Sequence, residues 1–223
     1  MNQESIPSLF NYPAMLKLAH KKCVLVGSGT VALRKLRTLG KTGAELIVVA
    51  PVFTTEFTEA AMLYHAQLIC DTYRPEYIQN AFLVIAATDD FSVNRYISET
   101  APCLCNNITE PELSNFTVPS SFSQGDITVT IATGGVPAFT RLLRQALETQ
   151  LSPVYAEFLE FLQQIRQEVK TIPSSSQERT SFWRNTLNQN ILNLLASNNL
   201  AGAKEQVTDA VTSFRTKSQN STR

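Results

Sequence analysis

The stretch Cys23-Val-Leu-Val-Gly-Ser-Gly-Thr-Val-Ala-Leu-Arg-Lys, residues 23–35, decides how the rest of the chain is interpreted. Its first four residues, 23–26, are apolar and predict a buried parallel strand, and a helical run ends the stretch. Between them lies Gly27-x-Gly29-x-x-Ala32, in the order of strand, glycine turn and helix that a dinucleotide-binding fingerprint requires. Gly27 permits the tight turn, and Gly29 lets a pyrophosphate approach the free N–H groups of the new helix. The alternative is a glycine turn that serves packing alone.

Further strands and helices alternate with this first pair as far as residue 107. Apolar runs predict strands at residues 45–50, 67–70, 81–87 and 103–107, separated by helical segments and turns. Strands that alternate with helices are typical of a doubly wound parallel sheet, so the predicted fold class is α/β with a Rossmann-type sheet. Ligands bind at the carboxyl ends of the strands in such sheets, which directs attention to the polar residues there.

A different pattern begins after residue 109. Residues 115–122 and 126–132 alternate as two strands of a hairpin, and a helix is predicted over 137–150. From residue 152 onward the sequence is helical, including one long helix over 177–196. We therefore expect a small α+β region and then a helical C-terminal region that packs or dimerises.

The overall composition excludes several classes of protein. The 223 residues are 43% apolar and 17% charged with zero formal net charge, so no global field attracts nucleic acid or an anionic membrane. No apolar run could span a bilayer, and residues 1–9 lack the pattern of a secretory signal. The four cysteines form no C-x-x-C pair, which favours reduced thiols in a cytoplasmic protein. Cys103 and Cys105 face one side of a strand, either as core residues or as soft metal ligands, and no histidine spacing predicts a metal site.

Short motifs along the chain carry a resemblance to a known family. They are Pro-x-Leu-Phe at residues 7–10, Val26-Gly-Ser-Gly-x-Val-Ala-x-Arg-Lys35, Ala86-Ala-Thr-Asp-Asp90, Cys105-Asn106, Phe116-x-Val-Pro-Ser120, Gly125-Asp-Ile-Thr-Val-x-Ile131, Thr133-Gly-Gly135, Arg141-Leu-Leu-Arg144 and Arg179-x-x-Phe-Trp183. In this order they resemble the precorrin-2 dehydrogenase and sirohydrochlorin ferrochelatase family, the stand-alone form of the N-terminal module of sirohaem synthases. The resemblance implies a homodimer built from an NAD-binding Rossmann domain (1–114), a dimerisation region (115–150) and a helical C-terminal region (151–223).

The same resemblance implies a reaction and a kind of pocket. The reaction is NAD-dependent removal of two hydrogens from precorrin-2 to give sirohydrochlorin, and some members also insert ferrous iron. Because the macrocycle is flat and rich in carboxylates, its pocket should offer basic and hydroxyl groups around an apolar slot.

The predicted cofactor residues lie at the ends of three strands. No acid or arginine occupies residues 49–52, which counts against a dedicated 2′-phosphate site, and the resemblance points to NAD. Residues at the end of the 81–87 strand either flank the cofactor or cap the next helix. The full set is Gly27, Ser28, Gly29, Thr30, Val31, Pro51, Val52, Thr88 and Asp89.

The predicted catalytic residues are Asn106, Thr109 and Glu110. The family carries an aspartate in a Cys-Asn-x-x-Asp-x-Pro pattern, thought to serve both activities, where this chain has Thr109. A threonine hydroxyl is neither a carboxylate base nor a good iron ligand, which argues against ferrochelatase activity. Glu110 either reaches the same space or is a solvated loop acid, and Asn106 is a nicotinamide-side or pocket residue. A degenerate site would instead indicate a non-catalytic protein that binds NAD or a tetrapyrrole.

Substrate contacts are predicted from the second part of the chain. The loop Thr133-Gly134-Gly135 should present N–H groups at a helix start, although it lacks the Ser-Pro that the family usually has there. Arg141 and Arg144 on the following helix either pair with substrate carboxylates or are solvated. A further alternative is an unrelated Rossmann oxidoreductase with a smaller substrate.

Overall fold

The structure is a computed structural model that describes residues 11–221. The chain divides into two compact units, the first ending at Val118 and the second beginning at Pro119. The motif at residues 7–10 lies outside the described residues.

The first unit is a five-stranded parallel sheet with helices on both faces. The strand order is β3-β2-β1-β4-β5, and every neighbouring pair is parallel, which confirms the predicted Rossmann-type sheet. Its elements are β1 (Lys22–Val26), α1 (Thr30–Leu39), β2 (Glu45–Ala50), α2 (Thr55–Leu63), β3 (Gln67–Cys70), β4 (Leu83–Ala86), α3 (Phe91–Thr100) and β5 (Leu104–Asn107).

The central strand β1 directs its side chains into two separate apolar clusters, because alternate residues of a strand point to opposite faces. Leu25 packs in one cluster with Leu36 of α1 and Phe57 of α2. Val26 packs in the other with Ile97 of α3. The two faces of the sheet are therefore covered by different helices, and the carboxyl ends of the strands are left for a ligand.

The second unit contains a hairpin and a set of helices. The hairpin strands pair antiparallel, as predicted. The elements are β6 (Ser120–Gln124), β7 (Ile127–Ile131), α4 (Pro137–Gln150), α5 (Pro153–Thr171), α6 (Ser176–Thr186), α7 (Gln189–Ala196) and α8 (Leu200–Ser221).

Two boundaries in this part of the chain differ from the sequence prediction. The first hairpin strand begins at Ser120 rather than at residue 115, because Asn115 is tied to β5: its Oδ1 accepts from the Cys105 N–H (2.7 Å) and its Nδ2 donates to the Cys103 carbonyl (3.0 Å). The single helix predicted over residues 177–196 is two helices, because the Asn188 side chain accepts from the Asn190 N–H and caps α7.

The cysteines are free thiols. Cys103 and Cys105 pack on the same face of the sheet within one apolar cluster, which is the core position considered above. Burial raises the pKa of the Cys23 thiol to about 11 and also raises the pKa of Cys105. Among the described residues, no cluster of three or more His, Cys, Asp and Glu side chains is placed to hold a metal ion. None of the described helices is both long and apolar enough to cross a membrane.

Candidate active site

The glycine turn after β1 requires a glycine at position 27. Gly27 has a φ of +116°, and a Cβ there would lie 2.2 Å from the carbonyl oxygen of Ala87. That contact is far shorter than atoms tolerate, so the absence of a side chain lets the turn pass directly against the end of β4.

The turn is followed by the N-terminus of α1, which is open. Gly29 is the N-cap of α1, no side chain caps its free N–H groups, and a Cβ on Gly29 would meet nothing within 4 Å. Thr30 and Val31, which follow it, are exposed. Free N–H groups that face open space at the positive end of a helix dipole are the elements of a pyrophosphate site. The residues present therefore fit the dinucleotide that the sequence predicts.

A side-chain hydrogen bond joins two of the predicted cofactor segments. The Ser28 hydroxyl donates to the carbonyl oxygen of Val52 (2.7 Å), which ties the glycine turn to the loop after β2. Pro51 and Val52 are both exposed. Three residues predicted separately thus lie at one edge of the sheet.

The end of β2 carries no acid, and the nearby acid that follows β3, Asp71, already has hydrogen-bond partners. The N–H of Asp71 donates to the Ala50 carbonyl (3.2 Å), which places Asp71 beside the end of β2. Its carboxylate accepts from Tyr77, Arg74 and the N–H of Thr72, and these bonds, that of Tyr77 foremost, lower its pKa to about 2. Asp71 therefore remains an anion whose oxygens are already used.

At the end of β4, a fully buried asparagine holds Thr88. The Asn94 side chain, on α3, accepts from the N–H and the hydroxyl of Thr88 (3.1 and 2.7 Å) and donates to its carbonyl (2.9 Å). The cap of α3 is Asp90, whose carboxylate accepts from the N–H groups of Ser92 and Val93, rather than Thr88 or Asp89. Asp89 is exposed beside it.

The same asparagine reaches the loop after β5. Asn94 Nδ2 donates to the Thr109 hydroxyl (3.2 Å), which in turn donates to Oδ1 of Asn107 (2.8 Å). Asn107 is 1% exposed, and its Oδ1 also accepts from the N–H groups of Thr109 and Glu110 (2.9 and 3.0 Å). The hydrogen bonds of the Thr109 hydroxyl are therefore structural, and they link the ends of β4 and β5.

This network predicts the effect of Thr109→Asp, which restores the residue usual in the family. A carboxylate cannot donate to Asn107 Oδ1 and would face it as a second acceptor, so we expect the variant to lose about 1–3 kcal/mol of unfolding free energy. Denaturant titration measures this, with Thr117→Asp at an exposed position as the control. A Thr109→Asp protein as stable as the control would show that the network carries no stability.

Glu110 is not a solvated loop acid. Its side chain is 16% exposed and forms an ion pair with Arg95 of α3 through Oε1. The other carboxylate oxygen, Oε2, is buried and has no hydrogen-bond partner among the described residues. The carboxylate thus has one oxygen fixed by a cation and one oxygen without a hydrogen-bond partner among the described residues.

Asn106 lies at the end of β5 on the face that carries α1. It is 8% exposed, is paired in register with Ile85 of β4, and donates from Nδ2 to the carbonyl of Phe116 (3.3 Å). This bond fixes the amide beside the carboxyl edge of the sheet, where a nicotinamide-side or pocket residue would stand.

In the second unit, the predicted substrate residues surround the start of α4. Gly134 and Gly135 have positive φ (59° and 100°) and open space where a side chain would be. The Thr133 hydroxyl donates to the carbonyl of Val136 and also contacts Thr140. Arg144 pairs with Glu148 (3.0 Å), but its buried Nε has no partner among the described residues. Arg141 is exposed.

Comparison with known proteins assigns both parts of the chain. A family model described as NAD(P)-binding matches residues 14–120, and a model of the sirohaem synthase dimerisation region matches residues 154–211. The chain belongs to the sirohaem synthase family. The first match supports the use of NAD. The dimerisation model covers helices of the second unit, so the assignment of residues 115–150 to dimerisation stays a prediction.

Sirohaem synthases themselves are the similar relatives. That of Nitrosospira multiformis is 36% identical over 187 residues, which cover 78% of this chain and 39% of the relative. Sirohaem synthase 2 of Yersinia pseudotuberculosis is 34% identical, over 84% of this chain and 41% of the relative. The chain thus spans about two fifths of the length of these relatives.

A solved structure of the precorrin-2 dehydrogenase SirC shares the fold. It superposes with a TM-score of 0.76 over 91% of this chain and 100% of SirC, at 21% identity. At that identity the likeness concerns the fold.

Sequence reasoning missed three residues of the candidate site: Asn94, Arg95 and Asn107. Asn94 lies three residues before Ile97 on the buried side of α3, and both are completely buried. A polar residue on the apolar stripe of a helix is a signal that could have been found. The hydrogen-bond and ion-pair partners of these side chains belong to other elements of the fold, so the spacing of residues along the sequence does not reveal them.

Proposed function

We propose that this protein catalyses the NAD-dependent dehydrogenation of precorrin-2 to sirohydrochlorin. The observation that carries the proposal is the pairing, at one edge of a parallel sheet, of an open helix N-terminus after β1 with the unpartnered carboxylate oxygen of Glu110 after β5. Membership of the sirohaem synthase family supports the same reaction. The proposal concerns dehydrogenation and leaves iron insertion aside.

The first task of the chain is to hold the dinucleotide. The N–H groups of Thr30 and Val31, at the start of α1, bind the pyrophosphate, and Pro51 and Val52 line the adenosine end. Thr88, held by Asn94, lies on the other side of the glycine turn. When bound, NAD supplies the acceptor for a hydride.

The second task is to accept a proton. Removal of two hydrogens from the macrocycle releases one hydride and one proton, and the hydride goes to NAD. The Glu110 carboxylate takes the proton, because it is a carboxylate after the end of β5 that keeps one oxygen without a partner among the described residues. Asn106, fixed by the Phe116 carbonyl, orients the reacting rings at the same strand end.

In the second unit, we assign substrate carboxylates to the basic and N–H groups around α4. The Thr133-Gly134-Gly135 loop offers N–H groups, and the buried Nε of Arg144 is a donor without a partner in the described part of the chain. A carboxylate would satisfy that donor, and Arg141 would add a second cation.

An anaerobic assay tests the proposed function. Purified protein is mixed with NAD and enzymatically generated precorrin-2, and NADH and the sirohydrochlorin spectrum are followed together. We expect both to rise in equal amounts. Binding of the macrocycle without NADH would contradict the proposal and favour the non-catalytic binding protein, whereas turnover of small alcohols alone would favour an unrelated oxidoreductase.

We also propose that the protein is a cytoplasmic homodimer. The match to the sirohaem synthase dimerisation region supports dimerisation, and so does α4, none of whose residues is buried. Val136, Phe139 and Leu142 form an apolar stripe on it, 50–60% exposed. The free thiols, two of them buried, support a reducing compartment.

The dimer proposal predicts that Leu142→Glu yields a monomer. A charge within the apolar stripe would have to be buried between two copies, at a cost of several kcal/mol, while the fold of one copy is unaffected. Sedimentation equilibrium measures the mass, and Leu63→Glu, at an exposed position of α2, is the control. A Leu142→Glu protein that remains dimeric would place the interface elsewhere.

A further inference from the structure

One ion pair of the first unit differs from an ordinary surface pair. Arg95 and Arg37 are similarly exposed, at 54% and 50%. Their partners are not: Glu56, bound by Arg37, is 65% exposed, whereas Glu110, bound by Arg95, is 16% exposed. Arg95 therefore reaches from solvent to a carboxylate that is mostly removed from water, where its charge is less screened.

The two oxygens of the Glu110 carboxylate have different surroundings. Oε1 is bound by Arg95, and Oε2 is buried without a hydrogen-bond partner in the described part of the chain. Buried polar atoms of native proteins nearly always have a partner, so an unpartnered carboxylate oxygen at a strand end indicates a reactive group.

The backbone around Glu110 is already fixed by other residues. Its N–H donates to Asn107 Oδ1, and the preceding Thr109 is held by Asn94, the neighbour of Arg95 on α3. With the backbone in place, the direction of the carboxylate depends on its side-chain torsions, and Arg95 is the residue that contacts its end.

We propose that Arg95 is a positioning residue for the dehydrogenation: by binding Oε1, it fixes the Glu110 carboxylate in the orientation in which it accepts the proton. This inference rests on the proposed function. In the step, one C–H bond of the macrocycle breaks and its hydrogen leaves with the electron pair as a hydride to NAD. A second C–H or N–H bond of the macrocycle breaks, its electron pair stays to form the new double bond, and its proton forms an O–H bond with the Glu110 carboxylate.

The test is a double-mutant cycle in the anaerobic assay, with Arg95→Met, Glu110→Gln and the double variant. We expect Arg95→Met to lower kcat about 10–100-fold, because a misplaced catalytic group costs that order of rate, while the KM for NAD is unchanged. Arg95→Lys should recover part of the rate. In the Glu110→Gln background, Arg95→Met should have no further effect, because the residue acts through Glu110.

A matched variant separates this role from the loss of a surface ion pair. Arg37→Met removes a surface ion pair of the same unit whose arginine is as exposed as Arg95, and should leave kcat unchanged. Wild-type turnover that survives Arg95→Met would overturn the inference alone, as would an equal loss in the Glu110→Gln background, which would mean that Arg95 binds substrate itself. Absence of turnover in the unaltered protein would overturn the proposed function and the inference with it.

Discussion

Gly27→Ala is expected to prevent the first unit from folding stably. The added Cβ would lie 2.2 Å from the Ala87 carbonyl oxygen, and alanine at a φ of +116° is strained even without a neighbour. Backbone strain and overpacking each cost about 1–3 kcal/mol, so their combination, about 2–6 kcal/mol, is a large fraction of the stability of a domain. Thermal unfolding followed by circular dichroism measures the loss.

The neighbouring glycine gives the matched control for this variant. Gly29→Ala places a methyl group where nothing lies within 4 Å, at a φ of −73° that alanine adopts freely, so the fold should be retained. The methyl group enters the space that the pyrophosphate needs, and NAD affinity should fall about tenfold or more, measured by fluorescence titration. If Gly29→Ala bound NAD normally, the pyrophosphate could not lie over this turn.

Glu110→Gln is expected to lower kcat by about 10²–10⁴-fold. Glutamine keeps the shape of the side chain but cannot accept the proton, and the loss of charge also weakens the contact with Arg95. Steady-state NADH formation measures the change.

Because the ion pair is partly exposed, the stability of the Glu110→Gln protein should change little. The control is Glu112→Gln, an exposed acid two residues further along the same loop. Equal rates for the two variants would remove Glu110 from the reaction and favour a degenerate catalytic site.

The parallel sheet was predictable because its signals are local. The strands of the first unit are short and mostly apolar, apart from the two asparagines that end β5, and β2 and β3 have the bounds that the sequence predicts. The geometry of the glycine turn is also local, because it follows from the turn residues, the strand before them and the helix after them. The pyrophosphate site could therefore be predicted before any contact was known.

The environment of Glu110 could not be predicted in this way. From the sequence, Glu110 could either reach the space of the family's aspartate or be a solvated loop acid. Its actual environment depends on Arg95, a residue of another element. The role of Thr109 depends in the same way on Asn94 and Asn107, two side chains whose burial becomes visible when α3 packs against β5. Tertiary hydrogen bonds of this kind leave no periodic trace in the sequence.

The central place of β1 in the sheet also has a consequence for synthesis of the chain. One neighbour of β1, β2, follows it closely in the sequence, but the other, β4, begins only at Leu83. One edge of β1 therefore remains unpaired, waiting for β4, while the intervening residues are synthesised. That waiting edge consists of Val24, Leu25 and Val26, which are 0–1% exposed once folded. Parallel pairings between distant residues form slowly, and an unpaired apolar edge invites self-association. The first unit should therefore be prone to self-association until β4 has been made.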